Sequence, residues 1–175
     1  MTVTIRPCEP RDAAALALVG QATILETYAE VLPLEGLLAH CTQQHGQALY
    51  TDWLARPDHR LWLAETATGA PVGYAALTPP DLPVVSGPGD VELRRIYLLH
   101  RFQGGRLGAA LMRTATSSAR QAGFTRLLLS VYGENAGALG FYARQGFVQV
   151  GEHRIRVGGL DYDDLILARG LDQAA

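Results

Sequence analysis

The chain has 175 residues, a net charge of −2 and no lysine among its fifteen basic side chains. A lysine nucleophile, a Schiff base and a lysine-bearing phosphate loop are therefore excluded, and the charge balance argues against a nucleic-acid binder. Nearly half the residues are apolar, yet no run is long enough to cross a bilayer, so one domain with its own core is expected over residues 1–175.

Residues 3–6, VTIR, alternate and predict an opening strand. Asp12 is placed to cap a helix over 13–30, where Leu16, Val19, Thr23 and Thr27 recur at helical spacing. The AAALALV run at 13–19 does not read as a secretory leader. Glu9 and Asp12 precede it, where a leader carries positive charge only, and a cytoplasmic protein is expected. Pro33 breaks this helix. A second helical stretch carries Leu34, Leu37, Leu38, Cys41, Ala48, Leu49, Trp53 and Leu54, and ends at Pro57. LWLAE (61–65) and PVGYAAL (71–77) predict two strands joined by the turn Ala67-Thr68-Gly69-Ala70.

Residues 79–90, PPDLPVVSGPGD, form a loop. A strand over 91–99, a glycine turn and a helix over 105–122 follow, with Gly123 as the stop. LLLSVY (127–132) has the short apolar run of a strand buried on both faces. A short helix runs from Asn135 to Gln145 and closes at Gly146. The segments FVQVGEHRIRV and DYDDLILARGL predict two last strands. The result is a mixed α/β domain, in which the strand–helix–strand unit from 91 to 132 makes a parallel, right-handed crossover.

Few side chains here suit metal or disulfide chemistry. Cys8 and Cys41 form no metal-spaced cluster or disulfide framework, and His40, His45, His59, His100 and His153 have no ligand spacing. No metal is expected. The charge is split. Residues 1–90 carry four arginines against ten acids, while residues 91–175 carry eleven against seven. Such an asymmetry bears on ligands rather than on fold.

The turn Gln103-Gly104-Gly105-Arg106-Leu107-Gly108 opens the helix whose Leu107, Ala110, Leu111, Thr114 and Ala115 share one buried face. A helix start presents unpaired backbone N–H groups and positive potential, and glycine lets a bulky anion approach the backbone. The combination suits a phosphate or pyrophosphate. Two familiar nucleotide motifs, GxxxxGK followed by Ser or Thr, and GxGxxG, are both absent.

This turn resembles the signature Q/R-x-x-G-x-G/A of the GNAT superfamily of N-acetyltransferases, which bind acetyl-coenzyme A. Its fourth position, glycine in the signature, is Arg106 here, with Gly105 one place earlier. ELRRIYLL before the turn, NAGALGFYARQGF (135–147) after it, and the N-terminal TIRPCEPRDAAAL are similar to the same family. The tail GEHRIRVGGLDYDDLILARGL resembles the bacterial spermidine/spermine-type members.

The resemblance implies a single GNAT domain with a mostly antiparallel sheet flanked by helices. It implies direct acetyl transfer from acetyl-CoA, as co-substrate, to a primary amine such as a polyamine, another small amine or a peptide amine. It also allows a homodimer. Backbone groups of Ile96, Tyr97 and Leu98 would pair with the pantetheine arm. Residues Gln103, Gly104, Gly105, Arg106, Leu107, Gly108 and Ala109 would hold the pyrophosphate. Asn135 matches a position at the cofactor arm and is also an N-cap, and Arg144 matches a position near the cofactor phosphates.

Acetyl transfer needs a neutral amine, a polarised carbonyl and a protonated leaving thiolate. By the same resemblance Tyr142 is the acid for the sulfur and Glu92 the base for the amine. Glu26 and Glu30, four apart on one helix face, and Tyr28 beside them are candidates to receive a cationic acceptor. A non-catalytic acyl-CoA-binding module remains the alternative, and intact Glu92 and Tyr142 argue against it.

Overall fold

A computed structural model describes residues 2–157 and 159–171. Gly158, inside the tail segment used above, and residues 1 and 172–175 of the expected domain lie outside the described residues. Among the described residues the chain forms five α-helices and one sheet of seven strands: β1 (Val3–Pro7), α1 (Ala13–Tyr28), α2 (Leu34–Gln44), α3 (Gln47–Ala55), β2 (Arg60–Thr66), β3 (Pro71–Thr78), β4 (Asp90–Leu98), α4 (Leu107–Gln121), β5 (Arg126–Tyr132), α5 (Ala136–Arg144), β6 (Val148–Val157) and β7 (Leu160–Gly170).

The strand order is β1-β2-β3-β4-β5-β7-β6. Among the described residues only β4 and β5 run parallel, as the α4 crossover requires; every other pair is antiparallel. The parallel ladder is short. Asp90, Val91 and Glu92 pair with Arg126, Leu127 and Leu128, and beyond that β4 and β5 part company. Arg126 clamps the joined end, donating to Asp90 Oδ1 and Oδ2 at 2.8 and 2.6 Å. A bulge in β4 opposite Ala76 and Leu77 leaves Arg94 as the extra residue between Leu93 and Arg95. The sheet therefore opens into a V along residues 93–98.

Helices α4 and α5 cover one face. Their core joins Leu111, Met112, Ala115 and Ala119 to Leu127, Leu129, Val91, Leu93 and Leu167. Helices α1 and α3 cover the other face through Leu16, Val19, Tyr50, Trp53, Leu63 and Tyr74. The expected second helical stretch is two helices. It breaks at His45 and Gly46, which leave helical geometry so that His45 turns inward. There His45 Nδ1 lies 3.0 Å from Tyr50 Oη, which lies 2.7 Å from Tyr74 Oη and accepts from Arg95 at 2.7 Å. The buried Arg95 guanidinium also stacks 4.6 Å over the Trp53 ring. Burial, reinforced by Arg95, pushes the His45 pKa down to about 2, so its ring is neutral.

Asp12 does more than precede α1. Its carboxylate receives Arg6 at 2.7 and 2.9 Å and the Glu9 N–H at 2.7 Å, while the same guanidinium also reaches Glu65. The hydrogen bond from Arg6 holds the Asp12 carboxyl below its ordinary value. The stabilisation this gives is present above the unfolded carboxylate pKa of about 4 and is lost as pH falls through the depressed folded value. Asp12→Ala should lower unfolding free energy by roughly 1–3 kcal/mol at pH 7. Urea unfolding should show the gap between variant and wild type narrowing steadily below about pH 4. A gap independent of pH would mean the ion pair is not its source.

Candidate active site

A cleft of about 680 Å³ occupies the V between β4 and β5. It passes through the sheet. On the α4–α5 side it is lined by Gln103, Gly104, Gly105, Gly108, Ala109, Asn135, Phe141, Tyr142 and Arg144. On the α1 side it is lined by Tyr28, His40, Tyr97, Ser130, Tyr132, Tyr162 and Asp164. Ile96, Tyr97 and Leu98, the strand residues expected at a cofactor arm, stand along the parted stretch of β4.

The glycine turn has a specific geometry. Gly104 has φ +73°, the left-handed region that glycine occupies without strain. Arg106 sits at φ −87°, ψ −5°, open to any residue, so the arginine at the signature's glycine position needs no special backbone. The first helical bond of α4 runs from the Ala110 N–H to the Arg106 carbonyl at 2.9 Å. Among the described residues, no side chain caps this helix. The N–H groups of Leu107, Gly108 and Ala109 are thus left for an anion. Arg106 and Leu107 do not line the cleft with their side chains: Arg106 is exposed, and Leu107 packs on the α4 core. Gln103 Nε2 donates to the Leu98 carbonyl at 2.9 Å and ties the turn to the end of β4.

Asn135 caps α5, its Oδ1 accepting from the Ala138 N–H at 3.1 Å, and it also borders the cleft. Tyr142 lies on α5 with its ring between Phe141 and Phe147, at centroid distances of 5.4 and 5.7 Å. Burial raises its pKa, so the phenol stays protonated at neutral pH and can donate.

Glu92 stands elsewhere than expected. It occupies the last position where β4 still pairs with β5, at the closed floor of the V, and it does not line the cleft. Its buried carboxylate accepts the Asp81 N–H at 2.8 Å and Arg94 at 3.2 Å. The V opens only beyond Glu92, and this side chain braces the loop at 81. Glu26 and Glu30 also fall outside the cleft lining. Both are exposed, and Glu26 accepts the His100 backbone N–H at 2.8 Å instead of facing the opening. Tyr28 does face it, and burial raises its pKa.

One group was not anticipated. Asp164, on β7, is 9% exposed and lines the cleft from the α1 side. Strand parity could have pointed to it: Asp164 shares a face with Tyr162, Ile166 and Ala168, whereas Asp161 and Asp163 fall on the other. Finding its partners required the order β5-β7-β6, which no local pattern encodes.

This arrangement defines the class. The Acetyltransferase (GNAT) family profile matches residues 24–147, more than two thirds of the chain, and the chain belongs to that family. An uncharacterized N-acetyltransferase of Mycobacterium tuberculosis is 31% identical over 160 residues, spanning 91% of this chain and 98% of that protein. Among solved structures, the PaiA N-acetyltransferase of Thermoplasma acidophilum in complex with coenzyme A superposes with a TM-score of 0.80 at 20% identity, covering 97% of this chain and 99% of that one. YncA of Salmonella typhimurium, solved with its cofactor acetyl-CoA, superposes with a TM-score of 0.72 at 21% identity, covering the whole of this chain and 97% of that one. At these identities the likeness to the solved structures is one of fold.

Proposed function

We propose that this acetyltransferase moves an acetyl group directly from acetyl-CoA to a small cationic primary amine, polyamines among them. The observation that carries the reading is one continuous cleft joining an unpaired helix start, an unpaired strand edge and a protonated tyrosine. The free N–H groups of Leu107, Gly108 and Ala109, with Gly104 and Gly105, suit a pyrophosphate. The edge of β4 from Ile96 to Leu98 offers backbone donors and acceptors to an amide-bearing arm, and Arg144 stands at the rim for a further phosphate. Acetyl-CoA supplies an activated acyl group on a thiol leaving group. Tyr142 gives its hydroxyl proton to the departing sulfur and recovers one from the acetylated nitrogen. No residue of the cleft is needed as an acyl carrier, so both reactants must be present together. Charge and aromatic rings on the α1 side favour a cation over an acidic acceptor.

Gly105 allows a clean test, because a Cβ there meets nothing within 4 Å and the substitution leaves packing undisturbed. Acetyl-CoA should raise the melting temperature of the wild type, since it binds only the folded state. Gly105→Glu places a carboxylate against the anion site and should abolish that rise while leaving the unliganded melting temperature unchanged. Release of free thiol from acetyl-CoA with a panel of amines then separates an enzyme from a binding module. Equal acetyl-CoA affinity in both proteins would move the anion site away from this turn.

A further inference from the structure

The acceptor end of the cleft has its own machinery. Tyr28, Tyr132 and Tyr162 stand around it, with Tyr28 and Tyr132 centroids 6.4 Å apart and Tyr132 and Tyr162 centroids 5.9 Å apart. Tyr162 is pinned by a hydrogen bond to the Val31 carbonyl at 3.1 Å, and Tyr132 by one to Glu134 at 2.8 Å. The Asp164 carboxylate sits beside these rings. Its Oδ2 accepts from Ser130 Oγ at 2.8 Å, and Ser130 Oγ lies 3.0 Å from His153 Nε2. Its Oδ1 is buried and has no hydrogen-bond partner among the described residues. An ionised oxygen held out of water without a partner is costly, and a cation with N–H groups is the partner it lacks. His153 is partly exposed, at 22% of its side chain, so the chain of bonds from Asp164 leads outward.

We propose that Asp164 seats the ammonium of the acceptor in this tyrosine-walled cup, takes its proton, and passes that proton through Ser130 to His153 and solvent. The proposal rests on the acetyltransferase reading and names the group that fills the role expected of Glu92. The proton balance is simple. R–NH3+ gives one proton to the Asp164 carboxylate and becomes R–NH2. The nitrogen lone pair forms the bond to the acetyl carbon as the carbon–sulfur bond breaks, its electron pair going to sulfur. Sulfur takes the Tyr142 proton, and the second proton leaving nitrogen restores Tyr142. Asp164 then donates to Ser130 Oγ, the Ser130 hydroxyl passes its own proton to the Nε2 lone pair of His153 in its Nδ1–H tautomer, and the resulting imidazolium gives one proton to solvent.

The groups facing Asp164 support a carboxyl that holds a proton more readily than an ordinary one. Ser130 and Tyr132 of β5, His153 of β6, Tyr28 of α1 and Tyr97 of β4 surround it, and none is a fixed cation. Burial raises its pKa against the opposing effects of Ser130 and His153. The sign follows. The base form is lost as pH falls through this raised value, so the acid limb of the rate profile should lie above the ordinary carboxylate range.

The test uses the full chain with spermidine, 1,4-diaminobutane, 2-phenylethylamine and a peptide with a free alanine N-terminus. With the fastest of these, Asp164→Asn should lower kcat/KM about 100-fold or more at pH 7. The variant should lose the acid limb and climb toward the wild-type rate as pH approaches the amine pKa of about 10. Ser130→Ala removes a donor to the carboxylate and should move the limb to higher pH, which reads the same chemistry if the Asn variant misfolds. Calorimetry gives a readout independent of turnover: the same amine should bind the coenzyme A-loaded Asn variant at least tenfold more weakly, with coenzyme A affinity unchanged. Wild-type rate, pH profile and amine affinity in Asp164→Asn overturn the assignment to Asp164 and leave the acetyltransferase reading standing. A wild type that binds acetyl-CoA but acetylates none of the four amines overturns both.

Discussion

Tyr142→Phe should lower kcat by about 100-fold to 10,000-fold while leaving acetyl-CoA affinity nearly unchanged. The hydroxyl matters when sulfur leaves, so its loss falls on the transition state rather than on ground-state binding. The ring itself is held by Phe141 and Phe147 and stays in place in the Phe variant. Because burial raises the phenol pKa, the wild type should lose no activity through this group at any pH below its ordinary value of about 10. Steady-state thiol release and isothermal calorimetry on the two proteins separate the effects. A Phe variant with full kcat would remove Tyr142 as the acid, and one with lost acetyl-CoA affinity would make it a binding residue.

Gly20→Val should be among the most damaging single changes to stability. Gly20 lies in α1 against the buried polar network, and a Cβ there would stand 2.6 Å from His45 Nδ1, 2.9 Å from Tyr50 Oη and 3.2 Å from Tyr74 Oη. None of these atoms can retreat, because each is hydrogen-bonded to the next and Arg95 is anchored on Tyr50. Overpacking adds to the cost of leaving buried polar groups unsatisfied, and together they should exceed about 3 kcal/mol. The expected fall in melting temperature is on the order of 10 °C. Differential scanning calorimetry of the Ala and Val variants should give a graded loss, larger for Val. An unchanged melting temperature would mean the network is dispensable to the fold.

Local chemistry made the elements on the α4–α5 side of the cleft readable in advance. An apolar strand, a glycine turn and an amphipathic helix are contiguous in the chain, and each carries its own signal: Gly104 for the turn, Asn135 for the cap, Gly123 and Gly146 for the stops. Gly123 and Gly146 both take positive φ, as helix-ending glycines do. The α1 side of the cleft was less legible because it is assembled from distant strands. Glu92 and Asp164 are both buried acids on strands. Only the point at which β4 leaves β5 decides which of them meets the cleft. Glu26 and Glu30 share a helix face, but periodicity does not say that Glu26 will bind a backbone N–H across the structure. The break between α2 and α3 was hidden for a similar reason, since His45 turns inward for partners on α3 and β3. Nothing in residues 34–54 alone requires that.

Where β4 leaves β5, the sheet forgoes a ladder it had the strands to build. Each backbone bond omitted there is worth about 1 kcal/mol. The seven strands are two ribbons, β1 to β4 and β5 with β7 and β6, stitched by three residue pairs, the Asp90–Arg126 clamp and the α4 crossover. Any occupant offering amide donors and acceptors to residues 93–98 completes the interrupted weave, so recognition and sheet completion become one event. The cleft is an interruption in the sheet, and an occupant that bonds to its edge adds to the sheet's cohesion.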